Sequence, residues 1–179
     1  MEDMKMNFKK LLVVAFVASV LFVPVCFAGR SDVGTSGAVF LKVPVGSRPS
    51  ALGEAYAGVA DDVNAIFFNP GGTSNLEKLE FSAMYYSWFQ SVKYSAISAA
   101  YPVKGVGTFG LGILNLGVDN IEKRTADTTA ADSLFSAGDF DYIVNYSRAF
   151  GSLLSAGVNL KYITQKIDTY SANTMGADI

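Results

Sequence analysis

Apolar and polar residues alternate with a period of two over long stretches of this chain. From Leu154 to Tyr162 every second side chain is apolar, and the side chains between them are polar or small. The segment from Asp139 to Ser147 repeats the pattern and breaks it only at Ile143, and Thr108 to Ile113 places three large apolar residues opposite one threonine and two glycines. A helix repeats every 3.6 residues and cannot produce this period. The pattern therefore predicts three β-strands, each with one apolar face and one polar face.

Two earlier segments alternate less regularly but also predict strands. Leu79 to Trp88 and Lys93 to Tyr101 are rich in aromatic and β-branched residues, which favour strands. A sixth strand is predicted to begin within Gly176 to Ile179. The fold class expected from the whole pattern is all-β.

The strands are long enough to suggest an antiparallel transmembrane β-barrel rather than a soluble sheet. They run to about ten residues, the length that a tilted membrane strand requires. Aromatic residues lie near strand ends, where they would form interfacial girdles: Tyr85, Tyr86, Trp88, Tyr101, Phe140 and Tyr162. A soluble β-sandwich would also alternate, so a soluble sheet protein is the competing interpretation.

The connections between the predicted strands differ in length. Pro102 to Gly105 and Ala149 to Ser152 read as tight turns, whereas Gly117 to Gly138 and Gln165 to Ala177 read as long polar loops. Short turns on the periplasmic side and long loops outside are typical of outer-membrane barrels. The brief connection from Phe89 to Val92 is the exception.

A closed barrel needs at least eight strands, so residues 78–179 are expected to be the first strands of a longer protein; closure by oligomerisation is the alternative.

The first 28 residues have the three parts of an export signal. Lys9 and Lys10 precede an apolar run from Leu11 to Val25, and a small-residue cleavage site ends at Ala28. A membrane anchor and a lipoprotein site at Cys26 are the alternatives. Cleavage near Ala28 would place the protein outside the cytoplasm, and the barrel pattern predicts the outer membrane and contact with its lipid.

Composition excludes several kinds of chemistry. Cys26 is the only cysteine, and the chain has no histidine, so after cleavage no disulfide, thiolate or histidine-based site remains. The signal contains three lysines and two acidic residues, which leaves 11 basic and 14 acidic residues and a net charge of −3. This balance gives no reason to expect nucleic-acid binding. No cofactor is predicted.

Residues 29–77 do not alternate and are predicted to form a small, partly helical segment. Pro49 could open an Ala-rich helix that continues toward Asp62, and Asp61 or Asp62 could cap a second short helix. The run Asn69-Pro70-Gly71-Gly72 should end that helix. Such a segment ahead of a barrel would lie across or inside the periplasmic mouth as a plug, or pack beneath the barrel.

The adjacent carboxylates of Asp61 and Asp62 also suggest two kinds of chemistry. Together with Asn64 they could bind Ca²⁺, although only a few of the required oxygen ligands are visible. A carboxylate pair also occurs in glycoside hydrolases, but there the two groups lie on either side of a bond, at least about 5 Å apart. Helix capping explains the same residues, and no nucleophile motif is present, so no enzyme activity is predicted.

The segment from Gly34 to Gly72, "GTSGAVFLKVPVGSRPSALGEAYAGVADDVNAIFFNPGG", resembles the N-terminal signature of the PorV/PorQ family of outer-membrane proteins, which is related to the FadL-type transporters. The matching features are "GTSGAVFLK", the turn at Gly46, the "ADD" ending at Asp62 and "NPGG", where the family has Asn-Pro-Ala-Gly. Departures are Ala51 to Glu54 in place of Gly-Met-Gly-Gly, Phe68 in place of a common tryptophan, and Gly71 in place of alanine.

The resemblance implies a FadL-like barrel of about 14 strands with an N-terminal plug. PorV-type members act in type IX secretion, whereas FadL-type members pass fatty acids and other hydrophobic molecules inward. The hatch residues carried over by position are Asn69 and Pro70, and the neighbouring Gly71, Asp61, Asp62 and Asn64 complete the predicted hatch or plug site. The partners implied are secretion-system proteins or hydrophobic small molecules. Secretion, passive transport and a purely structural role in the outer membrane remain the three hypotheses.

Overall fold

The computed structural model describes residues 37–151 and 153–179. The predicted signal peptide, its Cys26 and the first residues of the segment 29–77 lie outside the described residues.

Six strands form one antiparallel sheet in which each strand pairs with the next along the chain. Their bounds are β1 Glu80–Ser87, β2 Val92–Val103, β3 Gly107–Lys123, β4 Ser133–Phe150, β5 Leu154–Ile167 and β6 Tyr170–Asp178. The all-β prediction is confirmed. Strands β2 to β5 have 12 to 18 residues, at least twice the usual length of about five or six.

Two of the predicted long loops are wrong. Gln165 to Ala177 is mostly strand, because β5 and β6 are joined by a tight turn in which Asp168 adopts a left-handed backbone conformation (φ 55°). Aspartate tolerates that conformation, but the turn lacks the Asn-Gly signal that marks most short hairpins. The loop from Gly117 to Gly138 shrinks to residues 124–132, since pairing of β3 with β4 resumes after an irregularity between Val118 and Ile121.

The N-terminal part of the described chain, residues 38–77, lies on one face of this sheet and is called the covering segment below. It contains a 3-10 helix at Val39–Lys42, helix α1 at Ser47–Ala51, helix α2 at Ala65–Phe68 and a 3-10 helix at Pro70–Asn75. A further 3-10 turn, Phe89–Ser91, joins β1 to β2. Within the described residues, no helix combines the length and the apolar character needed to cross a membrane.

The Ala-rich helix expected to run from Pro49 toward Asp62 is much shorter than predicted. It ends after Ala51, and Gly53 and Glu54 both have left-handed backbones (φ 59° and 68°), which no helix accommodates. The predicted stop at Asn69 is confirmed, because α2 ends at Phe68 and Asn69 is extended (φ −151°).

The sheet has a covered face and an open face. Buried apolar side chains of the covering segment and the covered face form the core: Phe40, Val45, Tyr94, Ala96, Leu114 and Ile163 in one cluster, and Val63, Ile66, Leu76, Ala100 and Ile143 in another. Gly110 and Gly112 make room for Ile66, since a Cβ at these positions would lie 2.9 and 3.2 Å from its side chain. Glycine in β3 therefore lets α2 approach the sheet closely.

The open face is apolar and exposed. Its central register row contains Ala99, Leu111, Val144 and Leu160, and large side chains of this row are 56–62% exposed. A row of Tyr101, Phe109 and Tyr146 lies toward one end of the strands, and Tyr85 and Phe140 share a row toward the other end. Beyond Phe140 the face becomes polar, with Lys93 and Lys166 in one row.

The predicted aromatic girdle is partly wrong. Tyr86 lies on the covered face, where it stacks on Tyr94 with ring centroids 6.4 Å apart. Tyr162 shares a row with Tyr142 in the middle of the open face. The positions of Tyr85 and Tyr101 agree with the prediction, because both lie on the open face near a strand end, whereas Phe140 lies on that face but in the middle of β4.

Candidate functional site

The covering segment is fixed to the sheet by a buried polar network around its Asn-Pro-Gly-Gly-Thr run. The Thr73 hydroxyl oxygen lies 2.8 Å from Asn145 Oδ1, 2.9 Å from the Pro70 carbonyl and 2.7 Å from the Ser147 hydroxyl. Thr73 has one proton for the first two acceptors, so the Ser147 hydroxyl donates to it. These side chains are fully buried, and buried polar groups are stabilising only when they are paired in this way.

Two asparagines extend this network across neighbouring strands. Asn145 on β4 and Asn159 on β5 are direct register partners, and Asn145 Nδ2 donates to Asn159 Oδ1 (2.8 Å) and to the Pro70 carbonyl (3.3 Å). Asn159 Nδ2 donates to the Ile66 carbonyl (2.8 Å) and to Asp178 on β6 (3.2 Å). Both carbonyls belong to the end of α2 and the turn that follows it. The sheet therefore supplies hydrogen-bond donors to backbone groups that the short helix leaves unpaired.

Close contact between backbones completes this docking site. Pro70 and Gly71 lie directly over Gly157 of β5, where a Cβ would come within 2.5 Å of Gly71 N and Pro70 O. Gly72 is equally constrained on its other side, because a Cβ there would approach the Ala60 backbone and lie 2.9 Å from the Ala60 Cβ. The run needs glycine to fit between the sheet and the rest of the segment.

Asn69 shapes the turn rather than contacting the sheet. Its Oδ1 accepts a hydrogen bond from Gly71 N (3.2 Å), and its Nδ2 donates to the Ala57 carbonyl (2.9 Å). The first bond caps the 3-10 helix that Pro70 begins, and the second ties that helix to the loop after α1. Asn69 is exposed, whereas Pro70 and Gly71 are buried.

Asp61 and Asp62 form an ion-pair cluster with Arg48. The sequence analysis did not predict this cluster. The guanidinium bonds both carboxylates, with Nη1 3.2 Å from Asp62 Oδ2, and lies 5.5 Å from the centre of the buried Tyr56 ring. Asp62 Oδ1 also accepts a hydrogen bond from Asn64 N (2.7 Å), just before α2. The predicted side-chain cap by Asp61 or Asp62 is wrong, because the N-cap of α2 is Asn64, which has no side-chain cap bond, and Asp62 bonds only the N–H of that residue, while Asp61 contacts Arg48.

The Ca²⁺ interpretation finds no support in these contacts. Arg48 occupies the carboxylates that would bind the ion. The Asn64 side-chain oxygen lies beside Gly46, is buried and has no hydrogen-bond partner among the described residues. No group of three or more acidic, cysteine or histidine side chains suited to a metal was found in residues 37–151 and 153–179.

The Arg48 cluster should make the covering segment weakly sensitive to acid. The guanidinium holds the pKa of Asp61 below its usual range, so this carboxylate stabilises the fold above its unfolded pKa, about 4, and the contribution is lost as the pH falls through the lower folded value. Because both side chains are about half exposed, the effect is small.

We therefore expect hydrogen exchange in residues 47–62, corrected for intrinsic rates, to accelerate below about pH 4 in the wild-type protein. Asp61→Asn should reduce that acceleration, because it removes the Asp61 carboxylate and leaves only Asp62 paired with Arg48. Asp127→Asn, in the connection between β3 and β4, is the control and should respond to pH as the wild type does. An unchanged response in Asp61→Asn would contradict the assignment.

The structure brings together only part of the predicted site. Pro70 and Gly71 lie in the docking site and Asn69 shapes its turn, while Asp61, Asp62 and Asn64 lie on the Arg48 side of the segment. Sequence analysis missed the sheet's contribution, which is Asn145, Ser147, Gly157 and Asn159, and also missed Thr73 and Arg48. The alternation placed the four sheet residues on the polar face, but only the register shows which of them meet.

In comparisons with known proteins, no family model, curated protein or solved structure matches the chain. The resemblance to the PorV/PorQ family stays a prediction. Over the described residues, the observations define an all-β protein with one antiparallel sheet, a segment docked on one face of that sheet and an apolar open face.

Proposed function

We propose that the chain belongs to an outer-membrane β-barrel protein of the PorV/PorQ type that acts in protein secretion or export. The observation that carries this proposal is the polarity of the sheet. Its exposed face is apolar as far as the row of Phe140, whereas its covered face combines apolar core residues with the buried polar side chains of Asn145, Ser147, Asn159 and Asp141. A water-soluble sheet has the opposite arrangement, and a barrel wall in lipid has this one.

The strand order and strand lengths support the same proposal. Six antiparallel strands in sequential order are the meander from which up-and-down barrels are built. A membrane barrel leaves no unpaired strand edge in lipid, so the proposal requires partners for the outer edges of β1 and β6. A complete barrel of about 14 strands, as the family resemblance implies, would supply them. The covering segment is then the plug.

Secretion is favoured over a structural role because the inner wall is built to hold the plug through polar groups. The plug is fixed at the Thr73–Asn145–Asn159 network. In addition, its Val63 N–H donates a hydrogen bond to a side chain of β1, and its Val43 carbonyl accepts one from the Tyr94 hydroxyl of β2. Directional bonds of this kind define one docked position and can be exchanged for water when the plug moves. A polar wall also suits the passage of an exported polypeptide better than a wall of hydrocarbon.

Passive transport of hydrophobic molecules is the second candidate, and one observation favours it. A cavity of about 380 Å³ lies between the plug and the sheet and is lined largely by apolar side chains such as Val43, Phe67 and Leu114. That volume falls within the range of small-molecule sites.

The first experiment is fractionation of cells that express the full-length gene product, followed by gel mobility with and without boiling. We expect the protein in the outer membrane, with a mobility that changes on heating, as closed barrels show. A soluble periplasmic protein without such a shift would overturn the proposal.

A second comparison separates secretion from transport. The double variant Asn69→Ala/Pro70→Ala loosens the plug turn while leaving the sheet intact. If secretion is the function, exported proteins should accumulate in the periplasm of cells that carry the variant. A change in uptake of hydrophobic compounds with normal export would favour transport, and wild-type behaviour in both assays would remove the functional role of this turn.

A further inference from the structure

The cavity between the covering segment and the sheet contains a charge that the docking network does not use. Among its lining residues are Val43, Phe67 and Phe68 from the segment, and Leu114, Asp141 and Lys161 from β3, β4 and β5. Apolar side chains dominate this lining, and one acidic side chain lies on the sheet wall. This is the composition of a site that orients a small molecule through a few polar contacts.

Asp141 is the residue that needs explanation. It lies on the covered face of β4 between its register partners Leu114 and Ile163, and its side chain is fully buried. Neither carboxylate oxygen has a hydrogen-bond partner within the described part of the chain. A buried carboxylate without donors is costly, and such groups in native proteins usually meet a ligand, an ion or water.

The other charges around the cavity do not satisfy this carboxylate. Lys161 Nζ lies 2.7 Å from Asp178 Oδ2 and, within the described residues, makes no hydrogen bond to Asp141. Lys42 and Glu54 also line the cavity, but both are exposed at its rim and have opposite signs. Asp141 therefore leaves the inner end of the cavity with an unmatched acceptor.

We propose that this cavity binds an amphipathic amine. Its apolar chain packs against Val43, Phe67, Phe68 and Leu114, and its ammonium group donates hydrogen bonds to Asp141. Aromatic rings in the same lining also favour a cation over an anion. A fatty-acid carboxylate would place a second negative charge beside Asp141 and is selected against.

This inference goes beyond a role in secretion and gives the transport alternative a definite ligand class. It does not depend on membrane location, because binding is measured on the purified full-length protein. Failure to find the protein in the outer membrane would overturn the proposed function alone, and failure of binding would overturn this inference alone.

The test measures binding of decylamine, decanol and decanoate by native mass spectrometry. We expect one bound decylamine per chain and at least about tenfold weaker binding of decanoate, the difference that one hydrogen bond to a charged group produces. Asp141→Asn should weaken decylamine binding by about tenfold or more and reduce the preference over decanoate. Asp139→Asn, two residues away on the same face of β4, should behave as the wild type.

Other outcomes would overturn the proposal. Equal binding of amine and carboxylate by the wild type would show that Asp141 does not select the head group. No bound amine at all would mean that water alone satisfies the carboxylate. If Asp141→Asn loses the hydrogen-exchange protection that the sheet has in the wild type, Val43→Phe serves instead, because it narrows the cavity from the covering segment without changing a charge. It should weaken decylamine binding, and unaltered binding would place the ligand elsewhere.

Discussion

Leu111→Arg should prevent the protein from assembling stably in the outer membrane. Leu111 is 62% exposed in the central row of the open face, beside Ala99 and Val144. If that row faces lipid, an arginine there costs about 2–4 kcal/mol, the penalty found near the bilayer midplane of membrane barrels. In a soluble sheet the same change exposes a charge to water and alters stability by no more than about 0.5 kcal/mol.

The measurement is the outer-membrane fraction with heat-modifiable mobility, followed by the urea midpoint of the purified variant refolded into lipid vesicles. Thr128→Arg is the matched control, since it adds the same charge to the exposed connection between β3 and β4 and should leave both properties unchanged. A Leu111→Arg protein that assembles and unfolds like the wild type would show that the open face is not in contact with lipid.

The alternation of the sequence is sufficient to predict the central parts of β3, β4 and β5 and their two faces. Leu154, Val158 and Leu160 were assigned to one parity and Ser155, Gly157 and Asn159 to the other, and the covering segment lies on the Gly157 and Asn159 side. This succeeds because a strand has a period of two whatever its surroundings. The period does not show which face meets water and which meets lipid. The sequence pattern therefore fits both a membrane barrel and a soluble sheet protein.

Two features of the strands depend on pairing and could not be predicted locally. The segment from Tyr170 to Asp178 is polar and small, with little β-propensity of its own, yet it forms β6 because β5 offers a full set of backbone partners. The same applies to the ends of β3 and β4, which extend past an irregularity where the sequence suggested a loop. Tertiary pairing overrides local composition at such places.

The candidate site was half predictable for a related reason. Asn69, Pro70 and Gly71 interrupt a short helix, and this local property is visible in the sequence. The sheet partners of Pro70 and of the following Thr73 lie more than 70 residues later, in Asn145 and Ser147, and no local signal connects them. Only the register of β4 against β5 brings Asn145 to Asn159, and only the docked fold reveals that Gly157 must be glycine.

Gly157→Ala should therefore release the covering segment from the sheet. The added Cβ would lie 2.5 Å from Gly71 N and Pro70 O, and both are backbone atoms that cannot rotate away. Overpacking of this kind typically costs about 1–3 kcal/mol, and separation of the segment from the sheet would also break the hydrogen bonds that Asn145 makes to the Pro70 carbonyl. Alanine itself is compatible with an extended strand, so the effect isolates the contact.

Hydrogen exchange of residues 63–76 is the direct readout, and we expect much faster exchange in Gly157→Ala than in the wild type. Gly176→Ala is the matched control, because it makes the same substitution on the covered face of β6, where the new Cβ has its nearest neighbour 3.8 Å away at Lys161. That variant should keep wild-type protection.

If the covering segment is a plug, Gly157→Ala cells should also become permeable to large antibiotics, whereas Gly176→Ala cells should not. Faster exchange without a change in permeability would confirm that Gly157 contacts the covering segment. It would contradict a role of that segment as a barrier, because a plug that moves must open a path.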